Sequence, residues 1–267
     1  MKVSGLTIYP IKSSTGFQSN QFELATSGLH LDRNWGLIDH EGKVITGRQN
    51  AQMLAFYCEV FSDHLLVTHN GTKSIKIPFN SHQGQSINVH IFSSIGYGLE
   101  VSTAMNAWFS QKLNQDCKLV VFDPNQNRLI QEKHGGRADE VVKFADMNPI
   151  LLISEASLED LNSKLDLPVS MRNFRPNITI EGCPAFEEDT WERIRIGECE
   201  FRIAQQCERC VFTTINPDTM VRNKSGEPLK TLAKYRRTQS GGVAFGVHMI
   251  PEKLGTIKMN DTVEILN

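Results

Sequence analysis

The chain has 267 residues, 40% of them hydrophobic and 22% charged, with a formal net charge of −2. That balance excludes a disordered or fibrous chain and leaves room for one large or two smaller globular domains. It also removes the broad electrostatic case for a nucleic-acid or acidic-lipid partner, so any cationic site has to be local.

The opening MKVSGLTIYPIKSS has no apolar core of the kind a signal peptide needs. The longest apolar stretch, Ile150-Leu151-Leu152-Ile153, falls far short of the roughly 20 residues that span a bilayer. The expectation is a cytoplasmic protein without membrane contact. Its six cysteines (Cys58, Cys117, Cys183, Cys199, Cys207, Cys210) then read as thiols, most of them small core residues.

In chain order, strand-like runs come first, at residues 3–9, 22–25, 35–39, 65–68 and 74–77. Asp39-His40-Glu41-Gly42 and His69-Asn70-Gly71 are turn signals of the hairpin kind. Residues 102–113 change to a helical pattern, with Ser102 or Thr103 as N-cap, and Leu119-Val120-Val121-Phe122 follows as a strand entering the core. A second helix is predicted over 154–165, with Leu158, Leu161 and Leu165 on one face. Strands are then predicted at 177–180, 193–196, 200–204, 210–214 and 262–266, with Gly182-Cys183-Pro184 and Ile196-Gly197-Glu198 as turns. The fold class is therefore α+β and strand-rich, a barrel with helices packed outside it. Trp35, Trp108 and Trp191 read as packing anchors, and His134-Gly135-Gly136-Arg137 as a flexible connection.

Three segments carry chemistry. Cys207-Glu208-Arg209-Cys210 is a C-x-x-C pair whose bland readings are half a zinc site or two buried thiols. A second C-x-x-C and spaced histidine ligands are both missing, which weakens the zinc reading. Arg209 beside Cys210 offers a cation that favours a thiolate, and a thiolate suits a soft metal centre. Met171-Arg172-Asn173-Phe174-Arg175-Pro176-Asn177 is either a solvated approach to a strand or a place where Arg175 grips an anion or stacks on a planar ring. Tyr9-Pro10-Ile11-Lys12-Ser13-Ser14 ends a strand in a lysine and two hydroxyls, a set that suits phosphate.

These segments, together with Leu31-Asp32-Arg33-Asn34-Trp35, Thr46-Gly47-Arg48-Gln49, Leu152-Ile153-Ser154-Glu155-Ala156-Ser157 and Gly226-Glu227-Pro228-Leu229-Lys230-Thr231-Leu232, occur in one order along nearly the whole chain. In that order the chain resembles the MOSC proteins (molybdenum cofactor sulfurase C-terminal domain), in particular the mitochondrial amidoxime-reducing component and its bacterial relatives. The resemblance implies an N-terminal β-barrel domain over 1–92 and a MOSC β-barrel domain with peripheral helices over 93–267. It also implies a molybdenum-molybdopterin cofactor between them.

By the same resemblance Cys210, not Cys207, ligates molybdenum and is the catalytic residue. Lys12, Ser13, Arg33, Asp146, Asn148, Arg175 and Arg209 fall on the cofactor site. The implied activity is reduction of N-hydroxylated or N-oxidised small molecules. Its rival is a non-catalytic cofactor carrier or persulfide-transfer module. The chain ends at Asn267 without the iron-sulfur domain some bacterial relatives carry, so the expected electron source is a separate ferredoxin, flavoprotein or cytochrome. One departure stands out: Met220 occupies a position where family members often have glycine, beside the metal loop.

Overall fold

A computed structural model describes residues 1–266; Asn267, with which the expected second domain ends, lies outside them. The first strand, β1 (Lys2–Ile8), buries Val3, Leu6 and Ile8. A bulge between Val3 and Gly5 accommodates the odd spacing of those three residues on a period-two strand. β2 (Phe17–Gln18), β3 (Gln21–Ala25), β4 (Gly28–Leu29) and β5 (Trp35–Ile38) follow. The turn at 39–42 closes as expected: Asp39 Oδ1 accepts from the backbone N–H of Glu41 and of Lys43, both at 2.9 Å.

β6 (Phe56–Val60), β7 (His64–His69) and β8 (Thr72–Pro78) form a three-stranded meander. Its second turn places Asn70 and Gly71 at φ 50° and 68°, the left-handed pair that a tight hairpin requires. β9 (Gln83–Ile91) and β10 (Ser94–Glu100) make a longer hairpin, and α1 (Thr103–Leu113) starts where Ser102 Oγ accepts from Met105 N–H at 3.2 Å. β11 (Lys118–Phe122) returns beside β5, so this sheet runs β5-β11-β10-β9.

In the second half, β12 (Ile150–Ser154) and β13 (Ile178–Glu181) are parallel neighbours, which demands a crossover; α2 (Glu155–Asn162) supplies it. Leu161 of α2 is buried, with Leu158 and Leu165 packed on the same cluster. After β14 (Arg193–Ile196) and β15 (Cys199–Glu208) come the short α3 (Leu229–Leu232), β16 (Ala244–Lys253), β17 (Thr256–Lys258) and β18 (Val263–Leu266). An eight-stranded sheet runs β18-β14-β15-β16-β12-β13-β1-β2, and β17-β3-β4 forms a small one. The two longest strands, β15 and β16, are bulged against each other at three places, the device by which a sheet curls toward a barrel. The fold is thus strand-rich α+β, with the helices outside curled sheets.

Trp35 and Trp191 are buried and Trp108 packs on the core through Phe56 and Phe109, as packing anchors do. No helix of the described residues is long and apolar enough to cross a membrane. One predicted element is corrected. Residues 210–214 are not a strand: Val211–Thr214 is a 3-10 turn. The hydroxyls of Thr213 and Thr214 donate back to the carbonyls of Cys210 and Val211 at 3.0 and 2.7 Å. These local bonds offer the backbone an alternative to a sheet ladder and override the strand propensity of the β-branched run.

Candidate functional site

The segment after β1 leaves the sheet at Tyr9, whose N–H donates to Asp32 Oδ1 at 2.7 Å. Lys12 N–H donates to Trp35 O at 2.8 Å, which pins residues 9–14 against the start of β5. This places Lys12, Ser13 and Arg33 on one wall of a cleft. Phe174 and Arg175 come from the loop before β13, Asp146 and Asn148 from the irregular stretch before β12, and Cys207, Arg209 and Cys210 from the end of β15. The cleft measures ≈ 140 Å³ and is lined by all eight residues singled out from the sequence: Lys12, Ser13, Arg33, Asp146, Asn148, Arg175, Arg209 and Cys210. It adjoins a cavity of ≈ 230 Å³ across Asp146 and Met147.

Five cations line it (Lys12, Arg33, Arg48, Arg175, Arg209) against two carboxylates (Asp146, Glu208), in a chain whose formal net charge is −2. Lys12 is buried; its ammonium donates to Phe144 O at 2.6 Å and contacts Asp146. Burial lowers its pKa to about 8, with Asp146 opposing. Arg33 donates to Asp32 Oδ2 at 2.5 Å and to Asn177 Oδ1 at 3.0 Å. Arg175 donates to Ser14 O at 2.6 Å. Both guanidiniums lie near the Tyr9 ring, at 4.4 and 4.0 Å from its centroid. Burial pulls the pKa of Arg175 to about 10, which still leaves it protonated at neutral pH.

Ser13, Arg33 and Arg175 sit at φ 70°, 45° and 58°. Three non-glycine residues in left-handed backbone around one cleft are the kind of strain that functional sites hold, because the surrounding hydrogen bonds over-determine them. Asn148 is held at both ends of its amide: its Nδ2 donates to His134 O at 2.9 Å and its Oδ1 accepts from Gln205 Nε2 at 3.3 Å. The His134 loop therefore braces Asn148 through its backbone.

Cys210 is exposed and Cys207 is buried. The guanidinium expected to serve Cys210 turns elsewhere: Arg209 donates to Cys207 Sγ at 2.8 Å and to Phe174 O, and its Nε is buried without a partner among the described residues. The cause is the extended backbone, in which side chains two apart share a face. Arg48 approaches Cys210 instead, with Nη1 at 3.8 Å from Sγ and Nη2 at 3.8 Å from Asp146 Oδ2. Arg48 was missed as a site residue, although Thr46-Gly47-Arg48-Gln49 was itself a signal. His248, which faces Cys207 from β16, left no sequence signal. The departure at Met220 takes φ 58°, and Asn216 holds its loop: Met220 N–H donates to Asn216 O at 2.8 Å, and Asn216 Oδ1 accepts from Asp218 N–H at 2.8 Å.

Burial raises the Cys207 thiol, but Arg209 and His248 together pull it down from 9.0 to about 7. Between pH 7 and 9 the unfolded chain then binds the extra proton, so this group adds stability above pH 9 that is lost as pH falls through about 7. In cofactor-free protein, Cys207→Ser is expected to flatten the rise of the urea midpoint across that window. Lys12 contributes its own rise above about pH 8 in both proteins. An identical rise in the variant would show that Cys207 titrates normally.

Can these residues accept an anionic, metal-bearing cofactor? The cationic excess, the orphaned Arg209 Nε and an exposed thiol at the same cleft suit one. Among the described residues no three His, Cys, Asp or Glu side chains gather into a metal cluster. The protein thus offers cysteine sulfur without a set of further ligands gathered around it, which fits a metal that brings its remaining ligands with it and does not fit a zinc knuckle.

Comparison with known proteins gives a consistent picture. Residues 1–116 match the MOSC N-terminal beta barrel domain and residues 139–264 the MOSC domain. Mitochondrial amidoxime-reducing component 1 of Mus musculus is 36% identical over 281 residues, covering 99% of this chain and 82% of that protein. Mitochondrial amidoxime reducing component 2 of Bos taurus is 34% identical over 276 residues (98% and 82%). Component 1 of Homo sapiens is 34% identical over 281 residues (99% and 82%).

Proposed function

The chain belongs to the MOSC family that includes the mitochondrial amidoxime-reducing components, and from that premise we propose that it is a molybdenum-cofactor-dependent reductase of N-hydroxylated small molecules. Electrons come from a separate ferredoxin, flavoprotein or cytochrome. The observation that carries this reading is the exposed Cys210 thiol at a cleft lined by five cations in a chain of slight negative charge.

When bound, the molybdenum-pterin group supplies the two-electron chemistry that converts an N–OH compound, two electrons and two protons into the N–H compound and water. The protein supplies the rest. Cys210 is the metal ligand, and the Arg48 guanidinium lies 3.8 Å from its sulfur. Lys12, Arg33 and Arg175 are already fixed by backbone and side-chain bonds, so they hold an anion and a flat ring without further ordering. Ser13 presents a hydroxyl to polar edges, and Asn148 keeps that wall rigid through His134 and Gln205.

The test is metal analysis and reductase assay of protein made in a host that synthesises the cofactor. Near-stoichiometric molybdenum, with turnover of an aryl amidoxime under a chemical reductant, is expected. Zinc, or no metal from a competent host, sinks the reading. A molybdenum-loaded protein that turns over no N-hydroxylated compound would instead be a cofactor carrier.

A further inference from the structure

Beside the Cys210 cleft lies a second cavity of ≈ 430 Å³, which shares Lys12, Thr46 and Arg48 with it. We propose that this cavity seats the organic body of the substrate, and that it prefers flat neutral or anionic groups to cationic ones. The inference rests on the reductase reading of the cleft and names what that reductase accepts.

The volume is in the range that small-molecule sites occupy. Val44, Ile91 and Phe92 give its lining apolar surface, and Lys43, Arg48 and His90 give it polar and cationic groups. Arg48 joins the two compartments: one guanidinium nitrogen reaches 3.8 Å from Cys210 Sγ, while its Cζ lies 3.9 Å from the centroid of the Phe92 ring. A flat group on Phe92 is therefore one side chain away from the thiol.

Phe92 itself is unusual. It is 60% exposed and takes φ 52° at the tip of the β9–β10 hairpin. A lone exposed phenylalanine needs no explanation. A bulky residue held in left-handed backbone, capped by a cation that also reaches an exposed thiol, is different, because ordinary turn chemistry would place glycine or asparagine there. Arg48 covers part of the ring and leaves the rest open to a second flat group.

The charge preference follows from the lining, which holds no carboxylate. Asp146, outside that lining, is in contact with the Lys12 ammonium and lies 3.8 Å from Arg48. Glu41 pairs with Lys43 from outside the cavity. An incoming ammonium meets like charge at Arg48 and Lys43, whereas a carboxylate meets an incompletely neutralised guanidinium.

The test is equilibrium binding to the molybdenum-loaded protein of three aryl amidoximes that differ only in the para substituent: hydrogen, carboxylate or aminomethyl ammonium. The carboxylate is expected to bind about tenfold more tightly than the ammonium, a gap that narrows in high salt. Phe92→Ala is expected to weaken all three by roughly fivefold to tenfold through lost ring contact. Lys43→Glu, in the cavity lining, is expected to shrink the gap between the carboxylate and ammonium probes. Equal affinities for the three probes, or unchanged binding to Phe92→Ala, overturn the proposal. Turnover measured on the same preparations separates the two readings. Charge-ordered, Phe92-dependent binding without turnover supports the seat and removes the reductase; turnover without that dependence removes the seat alone.

Discussion

Cys210→Ser is expected to emerge from a cofactor-making host with essentially no molybdenum, while Cys207→Ser keeps most of it. The two thiols sit three residues apart and both line the cleft, but they differ in exposure and in partner. Cys210 is exposed at the cleft. Cys207 is buried, and its sulfur already accepts from Arg209 at 2.8 Å. A serine hydroxyl at 210 is a hard, poorly ionised donor, so a soft centre loses the one ligand the protein offers it. The loss of loading and turnover should exceed the ~10–100-fold typical of removing an outer-shell partner. Cys207→Ser is such an outer change: a smaller hydroxyl oxygen replaces the sulfur that accepts from Arg209, so turnover is expected to fall about tenfold while most of the molybdenum is retained. Plasma mass spectrometry of the purified variants, with turnover alongside, decides it. Molybdenum retained in Cys210→Ser but lost from Cys207→Ser would reverse the assignment.

How much of this was legible before the coordinates depends on whether the signal was local. The turn at Asp39–Gly42 and the cap at Ser102 are short-range chemistry, and they formed where the residues said they would. The Cys210–Thr214 strand failed because two threonine hydroxyls bonded back to nearby carbonyls, a competition that a propensity count does not contain. β16 went unrecognised because Gly246 and Pro251 interrupt it; both are tolerated beside bulges in the β15–β16 pairing.

The eight cleft residues lie between positions 12 and 210 on separate segments, so no spacing rule could have gathered them; ordered likeness to a known family did. That likeness named residues but not their partners. It gave no hint that Arg209 serves Cys207, that Arg48 attends Cys210, or that Phe92 is strained beside them. Side-chain direction is set by tertiary packing, which a linear motif leaves open.

The same blindness hid Arg128, whose replacement by methionine is expected to have the largest effect on stability. Arg128 is 5% exposed and lies outside the Cys210 cleft, yet its guanidinium is satisfied on every nitrogen. Nε and Nη2 donate to Ser94 Oγ at 3.1 and 2.9 Å, Nη1 to the carbonyls of Lys143 and Ala145, both at 2.6 Å, and Nη2 also to Asp146 O at 2.9 Å. Burial lowers its pKa to about 10, with Asp146 opposing, so the group stays charged at neutral pH. Three carbonyls of an irregular stretch thus converge on one cation, and that convergence shapes the turn that presents Asp146 to Lys12.

Methionine preserves much of the apolar volume but leaves those carbonyls and the Ser94 hydroxyl without their donor. The cost is that of breaking a buried charged network, about 3–5 kcal/mol. For a chain of this size that corresponds to a melting temperature lower by roughly 10 °C. Because the freed turn also releases Asp146, molybdenum loading should fall even at temperatures where the variant is folded. Arg128→Lys should recover only part of both losses, since an ammonium cannot span acceptors on opposite sides of a planar fork. Calorimetry and metal content of the two variants test this together. An unchanged melting temperature in Arg128→Met would mean that water replaces the guanidinium and that the turn stands without it.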